Sequence, residues 1–195
     1  MISIFLFVLI TCFYAAYFYK QFSLRKSGIA TNRLAKGDKP IRTRRIEAAL
    51  LFATYGTAVV QYVSVFFGKY MLAFSLPLAV RIIGLILAGL AVLFFLFAIF
   101  HMKDSWRAGI DESQKTSIVT TGVYRFSRNP AFVGFDLLYI GSILASPNLI
   151  MTTMAFFSIL LLHLQILEEE KYLSRVFGDE YADYRKKTPR YLLFF

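Results

Sequence analysis

MISIFLFVLITCFYAAYFY, residues 1–19, contains no charged side chain and decides the class of fold. At a rise of about 1.5 Å per residue, a helix of this length is just long enough for a hydrocarbon core of about 30 Å. The basic residues Lys20, Arg25 and Lys26 follow, which favours a retained membrane span over a cleaved signal peptide. We therefore interpret the stretch as a first transmembrane helix.

The composition of the chain also indicates a membrane protein. Of 195 residues, 57% are hydrophobic, with 21 Phe and 12 Tyr, which is more apolar surface than a soluble domain of this size can bury. The one cysteine, Cys12, lies in the first apolar run, so neither an intrachain disulfide nor a cysteine-based metal site is expected. The net charge of +10 falls between the apolar runs, a pattern typical of membrane loops rather than of a nucleic-acid-binding face.

Five apolar segments follow one another along the chain and predict an all-α integral membrane protein. The predicted spans cover residues 1–19, 48–67, 78–100, 131–146 and 149–167. The last two are so close in sequence that they predict a helical hairpin, and the fourth is short enough that it need not cross the bilayer completely. No repeat or flexible linker divides the chain, so we expect a single membrane domain over residues 1–195.

The positions of the basic residues predict the topology, because short loops rich in Lys and Arg stay on the cytoplasmic side. Residues 20–45 hold nine basic side chains, 101–128 hold five and 168–195 hold six, whereas 68–77 hold one. Five crossings with the N-terminus outside agree with all four counts. The 101–130 loop and the C-terminal tail then share the cytoplasmic face, where they can form one site.

The order Ser-Arg-Asn-Pro at 127–130 is typical of a helix start. Asn129 is a good N-cap, and Pro130 fits the first helical position. The free backbone N–H groups of the first turn, with Arg128 beside them, are suited to receive a carboxylate or phosphate. The alternative interpretation is a capped helix whose arginines extend to the membrane surface.

A second polar cluster occurs in LLHLQILEEEKYL, residues 161–173, where the last helix leaves the bilayer. Gln165 and Glu169 are one turn apart on one helix face, and Glu170 lies on the adjacent stripe. Anionic lipid head groups repel successive carboxylates, so a cationic or hydroxyl-rich partner is expected here. For Glu168, an ordinary ion pair on a charged helix is the favoured interpretation. The sequence contains no cluster of metal ligands, so no metal is expected.

These clusters, taken in order, resemble the isoprenylcysteine carboxyl methyltransferase family, within the wider group that includes phospholipid N-methyltransferases. The resemblance covers roughly residues 101–192. The residues that match before the hairpin are Ile118, Val119, Thr120, Gly122, Tyr124, Arg128, Asn129, Pro130, Phe132 and Gly134. Those that match after it are Glu169, Glu170, Leu173, Phe177, Gly178, Tyr181 and Tyr184.

The resemblance implies a membrane-embedded enzyme that binds S-adenosylmethionine in a cytoplasmic pocket formed within residues 101–195. The cofactor-binding residues expected by analogy are Thr116, Ser117, Ile118, Val119, Tyr124, Arg128, Asn129, Pro130, Ala131, Phe132 and Glu169. The acceptor is expected to be lipophilic, such as the carboxylate of a prenylcysteine or a related lipid. It is expected to enter from the bilayer through a gap between the third span and the hairpin.

The sequence departs from the family pattern at three positions. Asn129 replaces a histidine and Phe132 a tyrosine, and because Asn does not titrate near neutrality, a mechanism with that histidine as base is not expected. Gln165 stands where members that methylate prenylcysteine carry an arginine facing the substrate, so a fixed positive charge is absent. An ionised carboxylate acceptor needs no general base, whereas for an amine acceptor Glu170 is the predicted base.

Two alternatives remain open. An NADPH-dependent membrane sterol or isoprenoid reductase shows a similar C-terminal pattern, but two phosphates call for more basic residues than Arg125 and Arg128 supply. A non-enzymatic membrane scaffold would use its charged loops only for topology.

Overall fold

Five long helices form the protein in the computed structural model, which describes residues 1–29, 31, 33–106 and 117–192. The helices are α1 (Ile2–Lys26), α2 (Ile41–Phe67), α3 (Leu78–Met102), α4 (Pro130–Ala145) and α5 (Leu149–Lys187). Short 3-10 helices occur at Gly68–Tyr70, Lys103–Ser105 and Gly122–Arg125. Within the described ranges no β-strand is present, and a single isolated bridge joins Ala73 to Asn148.

The helices confirm the predicted all-α integral membrane class. Helices α1, α2, α3 and α5 are long and apolar enough to cross a membrane, and α4 is a shorter apolar helix, as predicted for the fourth segment. Because about 20 residues cross a hydrocarbon core, the 39-residue α5 is far longer than one span. Its apolar part, 149–167, is long enough for one span, and the charged part from residue 168 onward continues the same helix.

The helices are longer than the apolar segments at two positions. Helix α1 continues to Lys26, and α2 begins at Ile41 rather than near residue 48. Hydropathy marks only the part of a helix that lies in lipid, whereas backbone hydrogen bonds continue the helix into the basic loop. The basic residues at these two ends therefore belong to helices rather than to loops.

Aromatic side chains pack α1 against α3 and α4. The ring of Phe13 lies 4.5 Å from that of Phe95 and 4.9 Å from that of Phe135, measured between centroids. Tyr17 extends this cluster to Trp106, at 5.6 Å. Phe13 and Phe95 are fully buried, so the cluster fixes the position of the first helix next to the residues that follow α3.

Buried polar side chains connect α2 to the other helices. The Tyr14 hydroxyl donates to Gln61 Oε1 at 2.6 Å, and Gln61 Nε2 donates to the Ser142 hydroxyl at 2.7 Å. The hydroxyls of Thr57 and Ser158 lie 2.8 Å apart. Hydrogen bonds of this kind join helices in lipid, where the hydrophobic effect contributes little to helix association.

Helices α3 and α4 approach each other at backbone contact distance. A Cβ atom added at Gly84 would lie 2.6 Å from the backbone N of Ala145 and 2.7 Å from the carbonyl oxygen of Gly141. Small residues permit this approach between membrane helices. The predicted gap between the third span and the hairpin is therefore wrong, because α4 closes directly onto α3.

The substitution Gly84→Ala is expected to lower the free energy of unfolding by about 1–3 kcal/mol, because the added methyl group collides with backbone atoms of α4. Thermal unfolding in detergent micelles measures the change. Gly89→Ala is the matched control on α3, since a Cβ there meets no atom within 4 Å. Equal effects of the two substitutions would contradict the close contact.

Candidate functional site

The start of α4 and the charged part of α5 lie side by side, although they are distant in sequence. Arg128 Nη2 donates to Glu170 Oε1 at 2.8 Å, and Arg190 Nη2 donates to Glu170 Oε2 at 2.8 Å. The Arg128 and Glu170 side chains are almost completely buried. The two polar clusters identified in the sequence thus form one site.

The C-terminal tail folds back over the start of α4. The backbone N–H of Arg128 donates to the carbonyl of Pro189 at 2.9 Å, and its Nη1 donates to the carbonyl of Thr188. The hydroxyl of Ser127 and the side-chain amide of Asn129 both donate to the carbonyl of Arg190, at 3.1 and 3.2 Å. This tail therefore holds the residues that precede the helix.

Helix α4 begins at Pro130, as the sequence predicts, with Asn129 at the N-cap position. The Asn129 side chain makes no capping hydrogen bond, because its amide is turned toward the tail carbonyl of Arg190. The predicted capping role of this side chain is therefore wrong.

Glu170 is held by two guanidinium groups. Burial acts to raise the pKa of Glu170, but hydrogen bonds from Arg190 and Arg128 outweigh it and hold the pKa below its ordinary value. The same pairing raises the pKa of Arg190. A carboxylate whose two oxygens both accept from arginines is a weak base at neutral pH, so this geometry does not support the predicted role of Glu170 as general base.

A cavity of about 160 Å³, here called the polar cavity, lies between the loop before α4 and the charged part of α5. All predicted cofactor-binding residues that the structure describes line it: Ser117, Ile118, Val119, Tyr124, Arg128, Asn129, Pro130, Ala131, Phe132 and Glu169. Thr116 lies outside the described residues. Trp106 and Ser117, which flank residues 107–116, are both part of the wall.

Several lining residues were not among the predicted site residues. They are Met102, Ser105, Trp106, Tyr172, Leu173, Phe177, Tyr181 and Tyr184. The spacing of Leu173, Phe177 and Tyr181 places them on one face of α5, and this periodicity was the available sequence signal. The side chains from α5 give the polar cavity an aromatic wall.

A kink at Gly178 directs this wall toward the cavity. Gly178 has φ of +50° and ψ of −120° inside α5. Residues with a Cβ atom rarely adopt this backbone conformation. Beyond the kink, Tyr181 is buried, and the Tyr184 hydroxyl donates to the carbonyl of Tyr124 at 2.6 Å. The kink therefore explains why a glycine stands at position 178, one of the residues that match the family.

A second cavity of about 350 Å³, here called the apolar cavity, is lined mainly by side chains of α1, α2, α4 and α5, and α3 contributes Phe95. Most of its wall is aliphatic or aromatic, for example Phe18, Leu50, Tyr55, Phe135 and Leu162. The two cavities share four wall residues, which are Trp106, Ala131, Phe132 and Glu169. The cavities therefore meet at this wall, here called the junction.

Glu169 lies at the junction, and Gln165, one turn earlier on α5, lines the apolar cavity. Gln165 Nε2 donates to Glu169 Oε1 at 3.0 Å and to Glu47 Oε1 at 3.4 Å. Gln165 Oε1 is buried and has no hydrogen-bond partner among the described residues. Glu47 is itself fully buried and pairs with Lys39 at 2.6 Å. The predicted substrate residue thus lines the apolar cavity, beside two carboxylates.

Glu169 has an unusually high pKa for a glutamate. Burial raises the pKa of Glu169 to about 7, while the hydrogen bond from Gln165 acts in the opposite direction. No ion pair reaches this carboxylate from the described part of the chain. Glu168, by contrast, pairs with Lys171 at 2.8 Å and accepts from Thr43 at 2.7 Å, which confirms the predicted ordinary ion pair.

The fold and the site define a class of protein: a membrane-embedded helical protein with a polar and an apolar cavity that meet at a half-buried carboxylate. A sequence model of the phospholipid methyltransferase family matches residues 79–180, just over half of the chain, and the chain belongs to this family. The predicted resemblance to the isoprenylcysteine carboxyl methyltransferases is also confirmed by individual relatives.

Three curated relatives carry the name protein-S-isoprenylcysteine O-methyltransferase. The protein of Schizosaccharomyces pombe is 39% identical over 75 residues, which are 37% of this chain and 31% of that protein. The Xenopus laevis protein is 38% identical over 90 residues, and that of Mus musculus 34% over 90 residues, in both cases 43% of this chain and 30% of the relative. The matched segment thus spans about a third of the length of these relatives.

Proposed function

We propose that the protein is an S-adenosylmethionine-dependent methyltransferase that acts on a lipophilic acceptor delivered from the bilayer. The observation that carries this proposal is the junction. There a polar cavity lined by every described residue of the predicted cofactor set meets an apolar cavity of lipid character. The names of the curated relatives support the reaction type.

The residues of the polar cavity fit the chemistry of S-adenosylmethionine. This cofactor carries a sulfonium and an ammonium charge, ribose hydroxyls and an aromatic base. Glu169 offers a half-buried carboxylate that has no ion pair among the described residues, and the buried Tyr181 hydroxyl has no hydrogen-bond partner in the described structure. Phe177 and Tyr184 offer aromatic faces. The cavity therefore has the acceptors and the apolar surface that the cofactor requires.

In this proposal, Glu169 accepts hydrogen bonds from the cofactor, and residues 117–119 and 129–132 surround it together with Tyr124. Thr116, also predicted to bind the cofactor, lies outside the described residues. When bound, S-adenosylmethionine supplies an activated methyl group, so the protein needs only to bind, orient and exclude water. Arg128 lines the same cavity, but its guanidinium is engaged by Glu170 and tail carbonyls. We therefore assign to Arg128 and Glu170 the role of holding the start of α4 in place.

The acceptor is proposed to occupy the apolar cavity, next to α1 and α2. This position replaces the access route first expected between the third span and the hairpin. The proposed orientation places the junction on the cytoplasmic face, in line with the nine basic residues of 20–45 and the six of 168–195.

Equilibrium binding of S-adenosylmethionine and of NADPH to the purified protein in detergent tests the proposal. We expect S-adenosylmethionine to bind, and we expect Glu169→Gln to weaken this binding about 10- to 100-fold, because a hydrogen bond to a charged group is lost. Glu180→Gln is the matched control, since Glu180 lies on the same helix and is exposed.

Two results would contradict the proposed function, and a third would contradict the role of Glu169. Tight NADPH binding without S-adenosylmethionine binding would favour a reductase, although in the described wall of the polar cavity Arg128 is the one arginine and there is no lysine. Failure of the protein to bind either cofactor would favour a scaffold. Unchanged affinity in Glu169→Gln would remove Glu169 from the cofactor site.

A further inference from the structure

We propose that a third cavity, at the C-terminal end of α1, binds the phosphate head group of an anionic phospholipid that is not the acceptor. The cavity has a volume of about 650 Å³ and is here called the basic cavity. Arg25 of α1 and Lys36 of the following loop both line it, and its described wall contains no Asp or Glu. This ligand is separate from the proposed function, because neither cation lines the polar or the apolar cavity.

The end of α1 brings the two cations together although a loop separates them in sequence. Gly28 has φ of +77°, and its backbone N–H donates to the carbonyl of Arg25 at 3.1 Å. The N–H of Ile29 donates to the carbonyl of Leu24 at 3.0 Å. A left-handed glycine with this pair of hydrogen bonds ends a helix and reverses the chain. The loop therefore returns to α1, and Lys36 lines the same cavity as Arg25.

Buried contacts hold the loop that carries Lys36. The backbone N–H of Ala35 donates to Glu47 Oε2 at 2.8 Å, and Lys39 Nζ donates to the same oxygen at 2.6 Å. Lys39 Nζ also donates to the carbonyl of Arg33 at 2.8 Å. Because Glu47 is fully buried, these bonds fix the backbone on both sides of Lys36. A loop that is already held in place loses less conformational entropy when a ligand binds.

Arg25 and Lys36 have no acidic partner within the described part of the chain. Lys39, by comparison, pairs with the buried Glu47 at 2.6 Å. Both cations of the basic cavity are exposed, so an anion can reach them without first displacing an ion pair. A phosphate group has several oxygens that accept hydrogen bonds, and a guanidinium matches their geometry particularly well. The charge and the donors of this cavity therefore fit a phosphate.

Aromatic side chains on α1 fit the site to a lipid rather than to a free anion. Phe18 and Phe22 lie one turn apart and line the basic cavity, and they are 48% and 60% exposed. The uncharged run of α1 ends at Tyr19. An α1 that crosses the bilayer places these rings next to lipid chains and Arg25 at the depth of the head groups. One cavity thus offers cations for the phosphate and apolar surface for the chains.

A head group in the basic cavity lies outside the proposed site of methyl transfer. The basic cavity shares Phe18 with the apolar cavity, but none of its described wall residues lines the polar cavity or the junction. A phosphate held by Arg25 and Lys36 is therefore not next to Glu169. The lipid is accordingly a bound component of the protein beside the apolar cavity, and not a substrate.

Native mass spectrometry of the purified protein in an uncharged detergent tests the proposal, because it counts bound lipids. Dioctanoyl-phosphatidylglycerol is the anionic probe, and dioctanoyl-phosphatidylcholine, with the same chains, is the zwitterionic one. We expect phosphatidylglycerol to bind about 10- to 30-fold more tightly, because each nearby cation favours an anionic lipid several-fold. Inorganic phosphate at the same concentration should not displace it, since phosphate lacks the chains.

Substitution of both cations locates the site. Arg25→Gln combined with Lys36→Gln should lower the affinity for phosphatidylglycerol about 10- to 30-fold, to that for phosphatidylcholine. The matched control is Arg44→Gln combined with Arg45→Gln. It removes the same charge from exposed residues of the same basic segment, and these residues line none of the three cavities. The control should lower the affinity by less than about threefold, because salt screens distant charges.

Three results would overturn the proposal. Equal affinities for the two lipids would show that the cavity does not select an anionic head group. Displacement of phosphatidylglycerol by equimolar phosphate would identify a soluble anion as the ligand. Equal losses in the two double variants would indicate a general effect of surface charge. Thermal unfolding checks that each variant is folded, and the comparison of the two lipids on the unsubstituted protein requires no variant.

Discussion

Arg128→Met is expected to lower the free energy of unfolding by about 3–5 kcal/mol, because it removes one partner of a buried ion pair. In the native protein Arg128 Nε and Nη2 both donate to Glu170 Oε1, at 3.2 and 2.8 Å. Its Nη1 donates to the carbonyls of Arg185 and Thr188. Methionine leaves an apolar chain of similar length in place, so the loss is mainly electrostatic rather than a loss of packing volume.

Thermal unfolding in detergent micelles measures the effect of Arg128→Met. For a chain of about 200 residues, each kcal/mol corresponds to about 2–4 °C, so the midpoint should fall by about 6–20 °C. Arg190→Met is the matched control, because Arg190 binds the same carboxylate but keeps 24% of its side chain exposed, and its loss should cost clearly less.

A double variant separates the pair from the tail contacts. Arg190 still binds Glu170 Oε2 in Arg128→Met, but Glu170 Oε1 loses its donors. If this loss at Oε1 causes most of the effect, Arg128→Met combined with Glu170→Gln should be more stable than Arg128→Met alone. If Arg128→Met changes the midpoint by less than about 2 °C, the guanidinium does not hold the start of α4 to the tail. Equal losses for Arg128→Met and Arg190→Met would likewise contradict the assigned role.

The spans and the start of α4 could be predicted because they depend on local sequence. Hydropathy over twenty residues marks a helix in lipid regardless of its neighbours, and Pro130 marks a first helical turn by its own geometry. The residues of the polar cavity were identified through family motifs, which carry tertiary information that periodicity lacks. The cavity itself was not predictable from any one of those segments.

The contacts that depend on tertiary structure were missed. Arg190 reaches Glu170 only because the chain reverses after α5, and no local pattern indicates that reversal. Glu47, next to a run of basic residues, has the appearance of a surface side chain, yet it is fully buried against Gln165 and Lys39. A carboxylate that partners a loop lysine and a helix amide cannot be distinguished by sequence from one that faces water.

The location of the apolar cavity was missed for a related reason. Hydropathy does not tell which faces of the apolar helices pack together, so a gap next to the third span was as plausible as one next to the first. Gly84 and Gly141 could have predicted the packing of α3 on α4, because small residues on facing membrane helices permit close contact. Once α3 and α4 are closed against each other, the remaining apolar cavity lies beside α1 and α2.

The affinity for S-adenosylmethionine is expected to fall about tenfold for each pH unit below about 7, until it reaches the affinity of Glu169→Gln. Burial raises the pKa of Glu169 to about 7; the charge of Glu47 adds to this, and Gln165 and Lys39 oppose it. Below that pH the carboxyl group is protonated, and it must release its proton before it can act as an anionic acceptor. Binding of the cationic cofactor is therefore linked to proton release.

Equilibrium binding between pH 5.5 and 8, measured in parallel on the unsubstituted protein, Glu169→Gln and Glu180→Gln, tests this dependence. The ratio of the first two affinities cancels any titration of the cofactor itself and isolates that of Glu169. We expect the ratio to rise with pH through about 7 and to level off above it, because the carboxylate is then fully ionised. Glu180→Gln should follow the unsubstituted protein, since Glu180 is exposed and is not among the residues that line either cavity. A ratio that is constant from pH 5.5 to 8 would mean that the carboxylate at the junction does not face the cofactor.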